Sequence, residues 1–208
     1  MKKLFVTLCF LLSIIVLSGC NNIDNLHKGE ETTKDGKVKI IEYGDYKCSY
    51  CKKVEQHVLP KLKENDIDKD KVDYQFVNIA ILGDDALLGS RAGHAVQQYA
   101  PKQYLAFQKR MFEQQPKSEK NWITKKLIDK QIDALKIDNQ KKAKIKEAYK
   151  SKQSSAWKVA KKDQQQAKKD GVTVAPTVYV GGEKLEDPYK YANYKRLIDK
   201  HTQNDKDN

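Results

Sequence analysis

The chain has 208 residues, with 40 Lys+Arg against 28 Asp+Glu and a formal net charge of +12. This length accommodates one domain with a sizeable core and an elaboration. The lysines are spread along the chain and only three residues are arginine (Arg91, Arg110 and Arg196), which argues against a nucleic-acid partner, because base reading and phosphate clamping favour arginine's planar fork.

At the start of the chain, Lys2 and Lys3 form a short positive region before LFVTLCFLLSIIVL, residues 4–17. That run is too short for a comfortable membrane span and has the length of a signal-peptide apolar core. LSGC follows, and Leu17 with two small residues before Cys20 resembles the lipobox of bacterial lipoproteins. The resemblance implies cleavage after residue 19, a signal peptide over 1–19, and a diacylglyceryl group on Cys20. Each buried methylene of such an anchor contributes ~0.8 kcal/mol. The protein is then expected outside the cytoplasm, tethered to the membrane. Of the four cysteines, Cys9 leaves with the signal peptide and Cys20 is capped by lipid. Cys48 and Cys51 remain as thiols, in a compartment where disulfides form and persist.

Residues 20–36 are polar and without periodicity, a tether between lipid and fold. From Lys37, KVKIIEYG reads as a strand. CSYCKKVEQHVLPKLKEN places Cys51, Val54, Val58 and Leu62 on one helical face, with Pro60 kinking or shortening the helix. Residues 71–82, KVDYQFVNIAIL, read as a second strand, so strand, helix and strand form a parallel pair with a crossover. Helical spacing then predicts helices over 85–99, 101–113, 120–136, 139–151 (with Asp138 as N-cap) and 154–170, stopped by Gly171. Strand pattern returns at 172–175 and 177–180 around Pro176, with Gly181-Gly182 as a hairpin turn. A final helix runs from Tyr189 to about Lys200. The expected organisation is one α/β sheet domain built from 37–83 and 171–202, a helical insertion over 84–170, and a loose tail at 203–208.

The chemistry sits in DYKCSYCKK, residues 45–53. A C-x-x-C can hold half a metal site, close a structural disulfide, or shuttle electrons. Structural zinc needs four ligands. There is no second C-x-x-C, and His57 is the only histidine nearby, with His27, His94 and His201 distant. A structural disulfide across two residues closes a very small loop and stabilises little. At a strand–helix junction, Cys48 meets unpaired N–H groups and the positive end of the helix dipole. Its thiol pKa is expected below that of free cysteine, in the ~3.5–7.5 range of such settings. Lys47, Lys52 and Lys53 add positive charge nearby. A stabilised thiolate is also a good leaving group, so a Cys48–Cys51 disulfide acts as an oxidant. Cys51, deeper in the helix, is expected to be buried and to resolve mixed disulfides.

YGDYKCSYC, VLPKL, YQFVN and APTVYVGGEKLEDP occur in order between residues 37 and 200, and together they resemble the DsbA-type thiol:disulfide oxidoreductases, most of all their Gram-positive lipoprotein branch. The resemblance implies a thioredoxin fold with a helical insertion. It implies Cys48 as nucleophile, Cys51 as resolving cysteine, and Pro176 as the cis-proline facing the pair. Ala175 becomes the residue whose backbone pairs with substrate, and Ser49 and Tyr50 contact it. Glu42 matches a buried carboxylate that assists proton transfer at the resolving cysteine. Two departures stand out. Ser49 replaces a common proline, and Tyr74 stands where the family places a lysine partner for the buried carboxylate.

The expected activity is oxidation of thiols in reduced secreted or cell-surface proteins, without metal or organic cofactor, by a membrane-anchored monomer. A quinone-linked membrane partner or a small-molecule oxidant regenerates the disulfide. A reductase or isomerase on the same scaffold is the alternative. From another class, a binding lipoprotein with a vestigial cysteine pair also fits the residues.

Overall fold

A computed structural model describes residues 31–117 and 120–204. The signal segment, Cys20, most of the tether and the end of the tail lie outside those residues. Strand β1 spans Val38–Gly44, followed by α1 (Ser49–His57), α2 (Leu59–Leu62), a π-turn over Lys63–Ile67, and β2 (Val72–Asn78). Five helices follow: α3 (Ala86–Tyr99), α4 (Tyr104–Glu113), α5 (Lys125–Asp133), α6 (Asn139–Lys150) and α7 (Ser155–Lys169). The chain closes with β3 (Thr177–Val180), β4 (Glu183–Lys184) and α8 (Tyr191–Asn204).

The sheet order is β2-β1-β3-β4, with β1 parallel to β2 and antiparallel to β3. A central strand covered on both faces needs apolar residues on both, and β1 supplies them. Val38 and Ile40 pack with Val54, Val58 and Leu62 of α1–α2 and with Tyr194, Leu197 and Ile198 of α8. Ile41 and Tyr43 point the other way, into a cluster with Val77, Ile79 and Ala167 of α7. Each such side chain, fully buried, contributes about 1.5–3 kcal/mol. The third cluster fills the helical block and reaches the cysteines: Tyr46, Phe76, Phe107, Met111, Phe112 and Ile128 belong to it, as do Cys48 and Cys51.

Several expected elements are shorter or shifted, each for a visible reason. Pro60 lies in the first turn of α2, and of the two expected effects, kinking or shortening, it is shortening that occurs, with α1 ending at His57. Strand β2 ends at Asn78 rather than at residue 82, because its partner β1 ends at the paired Gly44. Beyond it the Asn78 side chain accepts the Ala80 N–H, Ala80 takes φ 46°, and Ile81 and Leu82 emerge 53% and 43% exposed. Residues 172–175 form no strand. The β1–β3 register starts at Tyr43 opposite Thr177, which leaves nothing for the earlier residues to pair with. The helix expected over 120–136 begins only at Lys125, capped by Thr124, because the N–H groups of Trp122 and Ile123 are drawn to Asp85 at 2.8 and 2.9 Å. The first residues of the 101–113 segment form a 3-10 turn, and α8 starts and ends later than expected, reaching Asn204. Asp138 caps α6 as its side chain requires, and Gly181-Gly182 makes the hairpin turn with φ 53° and 75°.

Candidate active site

Cys48 is the N-cap residue of α1. Its sulfur accepts the Cys51 N–H at 3.4 Å, and its thiol lies 3.3 Å from the Ala175 carbonyl oxygen. The Ala175–Pro176 peptide bond is cis. Both cysteines are free thiols here, Cys48 at 6% exposure and Cys51 at 0%. Ser49 and Tyr50, between them, face solvent. The turn before the pair is fixed by Asp45, fully buried. One carboxylate oxygen accepts the Lys47 N–H at 2.8 Å, the other the Leu82 N–H at 3.0 Å, and its carbonyl accepts the Cys48 N–H at 2.9 Å. The strand end must be glycine. A Cβ on Gly44 would stand 2.7 Å from Phe76 Cζ and 3.4 Å from Cys51 Sγ, so the absent side chain lets ring and resolving thiol close over the sheet.

The two thiols separate electrostatically. The hydrogen-bonded Cys51 thiol, with backbone N–H groups of Cys51 and Tyr50, pulls Cys48 from an ordinary 9.0 down to about 7 against the opposing effect of burial. Burial, the hydrogen bond to Cys48 and the field of Glu42 push Cys51 well above 9.0. Lysine does not contribute as the sequence suggested. Lys47 turns away to an ion pair with Asp85 at 2.6 Å and a contact with Asn121 at 3.1 Å, both partners of the pair being nearly covered. Lys53 lies over the Tyr50 ring, 4.7 Å from its centroid. Neutral dipoles, not cations, lower the Cys48 pKa.

Glu42 projects from β1 on the α1 face, 2% exposed. Tyr74 O–H donates to its carboxyl at 2.9 Å, in place of a lysine. Burial raises Glu42 from 4.5 to about 8, against the lowering effect of that hydrogen bond. The network goes further than the sequence indicated. The Gln108 amide donates to Tyr74 Oη at 3.1 Å and to Glu55 at 3.0 Å. Glu55, also buried, is raised to about 8, first by burial. A signal for both residues existed. Glu55 stands four residues after Cys51 on the apolar face of α1, and Gln108 interrupts the apolar stripe Tyr104–Phe112 of α4. At neutral pH both carboxyls are predominantly protonated, held by two neutral side chains. Among the described residues no group of three or more His, Cys, Asp or Glu stands together to hold a metal, and no helix is long and apolar enough to cross a membrane.

A strand–helix–strand unit closed by an antiparallel hairpin, with paired thiols at a helix N-terminus against a cis-proline loop, defines a thioredoxin-fold protein of thiol–disulfide exchange. A family model described as thioredoxin matches residues 22–200, and the chain belongs to that family. The chain is 34% identical to the probable disulfide bond formation protein D of Bacillus anthracis, over 80% of this chain and 74% of that protein. It is 30% identical to the disulfide bond formation protein D of Bacillus subtilis strain 168, over 80% and 73%. The crystal structure of oxidised BdbD from Bacillus subtilis superposes with a TM-score of 0.72 at 28% identity, covering 85% of this chain and 94% of that one. NmDsbA1 of N. meningitidis shares the fold, with a TM-score of 0.62 at 21% identity over 84% and 89%.

Proposed function

We propose that Cys48 is the nucleophilic sulfur of a thiol:disulfide oxidoreductase that donates its disulfide to reduced proteins during oxidative folding. The observation that carries this is the placement of the two thiols: Cys48 is the N-cap of α1, its sulfur accepting the Cys51 N–H at 3.4 Å and lying 3.3 Å from the Ala175 carbonyl oxygen, while Cys51 is fully buried behind it. A substrate thiolate attacks Cys48 Sγ, the Cys48–Cys51 bond breaks, and Cys51 leaves as a thiolate that takes up a proton. Glu42, protonated at neutral pH and electrostatically coupled to Cys51, is the acid for that step. A second substrate thiolate then attacks the substrate sulfur of the mixed disulfide and releases Cys48 as thiolate. Two substrate thiols become one disulfide, and the pair becomes a dithiol. Ala175 and Pro176 line the approach to Cys48, with the Ala175 backbone as partner for an extended substrate, and Ser49 and Tyr50 border it.

The same reading places the protein on the outer face of the cell membrane, anchored through Cys20, as a monomer. A quinone-linked membrane partner or a small-molecule oxidant restores its disulfide. Cys20→Ala is expected to release the protein from the membrane fraction, and retention there contradicts the anchor. Oxidative refolding of a reduced protein tests the site: Cys48→Ser is expected to abolish the catalysed rate, and an unchanged rate removes Cys48 from its role. One observation favours a second reading, as reductase or isomerase. A Cys48 pKa of about 7 lies at the mild end of the range for helix N-termini, and a redox potential far below that of glutathione would select it.

A further inference from the structure

Lysines occur along the whole chain, but the net positive charge is concentrated in one part of the fold, where carboxylates are few. Residues 120–170 carry sixteen lysines and six carboxylates, so ten of the twelve excess positive charges reside there. Most of those carboxylates are already engaged. Asp129 binds Lys150 at 2.8 Å, Asp133 binds Lys146 at 2.7 Å, Asp163 is buried against His94 at 2.7 Å, and Asp170 accepts the Tyr43 O–H at 2.8 Å. Thus α5–α7 present a predominantly positive surface, in which the exposed Asp133, Asp138 and Glu147 are outnumbered by lysines, and whose self-repulsion a partner of opposite charge relieves.

The C-terminal half of α7 brings that surface to the cysteines. Gln164 donates to the Ala80 carbonyl at 3.0 Å, and Leu82, two residues on, is bound to Asp45 in the cysteine turn at 3.0 Å. After Asp170 the chain needs only five residues to reach Ala175, whose carbonyl lies 3.3 Å from Cys48 Sγ. Lys161, Lys162, Lys168 and Lys169 are exposed on this half of α7. The two segments that join it to the cysteine turn carry Ile81, Leu82 and Val174, at 53%, 43% and 65% exposure. An apolar step therefore lies next to the reactive thiol, and cations lie beyond it.

The thiol limits the occupant to a chain that brings its own cysteine, and the charge limits it further. We infer that this surface recruits reduced polypeptide segments with a large apolar residue beside the cysteine and carboxylates further along. This inference rests on the oxidoreductase reading and names its substrate class. Lysine-rich fields of this kind act on encounter rate and are screened by salt.

The test mixes the oxidised protein with dicysteine peptides that share a Leu beside the cysteine and differ only in four distal residues, all Glu or all Lys. Second-order rates are read by acid quench. At low ionic strength the acidic peptide is expected to react about tenfold faster, and at 0.5 M salt the gap is expected to close to about twofold or less. The quadruple variant K161E/K162E/K168E/K169E, checked for an unchanged melting temperature, is expected to reverse the preference. Replacing the shared Leu by Gly is expected to slow the acidic peptide in the wild type, with a smaller effect in Val174→Ser. Equal rates for the two charged peptides at low salt overturn the inference. So does a preference that survives the quadruple variant, or binding to phosphatidylglycerol vesicles with no peptide preference. Oxidation of both peptides at equal rates leaves the oxidoreductase reading standing. Oxidation of neither, with no reaction toward dithiothreitol, overturns both.

Discussion

Replacing Glu42 by Gln separates burial of a carboxyl group from its other roles. Burial raises this group from 4.5 to about 8. The unfolded chain therefore releases the proton near pH 4.5, while the folded chain keeps it until about pH 8. Between those values the native state binds more protons, so stability falls as pH rises through the window. At ~1.36 kcal/mol per pKa unit the cost is about 3 kcal/mol at pH 7 and about 5 kcal/mol above pH 8. Glutamine has the shape and no charge, so the variant escapes that cost. Glu55, raised the same way and coupled to Glu42, retains its own part of the slope in the variant. Urea unfolding of reduced wild type and Glu42→Gln from pH 4.5 to 9 measures the difference. The two are expected to coincide at the acid end, with the variant more stable by about 3 kcal/mol at pH 7. A difference that does not change with pH would refute the reasoning, since Glu42 would then not be a protonated buried acid.

Two further outcomes follow from the geometry. Because Cys48 titrates at about 7 while the two glutathione thiols ionise only around ~8.5, raising pH from 7 to 8 is expected to shift the equilibrium with glutathione toward the reduced protein about threefold. A constant unchanged over that step contradicts the depressed thiol. Gly44→Ala is expected to cost about 1–3 kcal/mol by overpacking, read as a lower denaturation midpoint. The Phe76 ring that would have to move is held by Tyr46 and Phe112 at centroid distances of 5.4 and 5.9 Å. An unchanged midpoint shows that the ring yields.

Much of this architecture was legible because local chemistry wrote it into the chain. Cys48 at a strand–helix junction, Asp138 before a periodic run and Gly181-Gly182 between apolar pairs each dictate their own conformation. What remained hidden depended on partners far away in sequence. Ile81, Leu82 and Val174 look like strand residues, and only the loss of a pairing neighbour at the end of β1 turns them outward beside the cysteine turn. Lys47 reads as a cation beside Cys48 until Asp85, thirty-eight residues on, claims it. Glu55 and Gln108 stand inside apolar stripes, where a polar residue marks either an exposed edge or a buried network. Their meeting with Tyr74 across three elements decides it.

The central claim is that neutral hydrogen-bond donors at the start of α1 hold sulfur 48 as an anion near neutrality. Thiolate absorbance of the reduced protein, followed against pH, measures this directly. The midpoint for Cys48 is expected at about 7, moving up toward 9.0 in Cys51→Ala, which removes the largest stabilising contact. A midpoint already at 9.0 in the wild type contradicts the account.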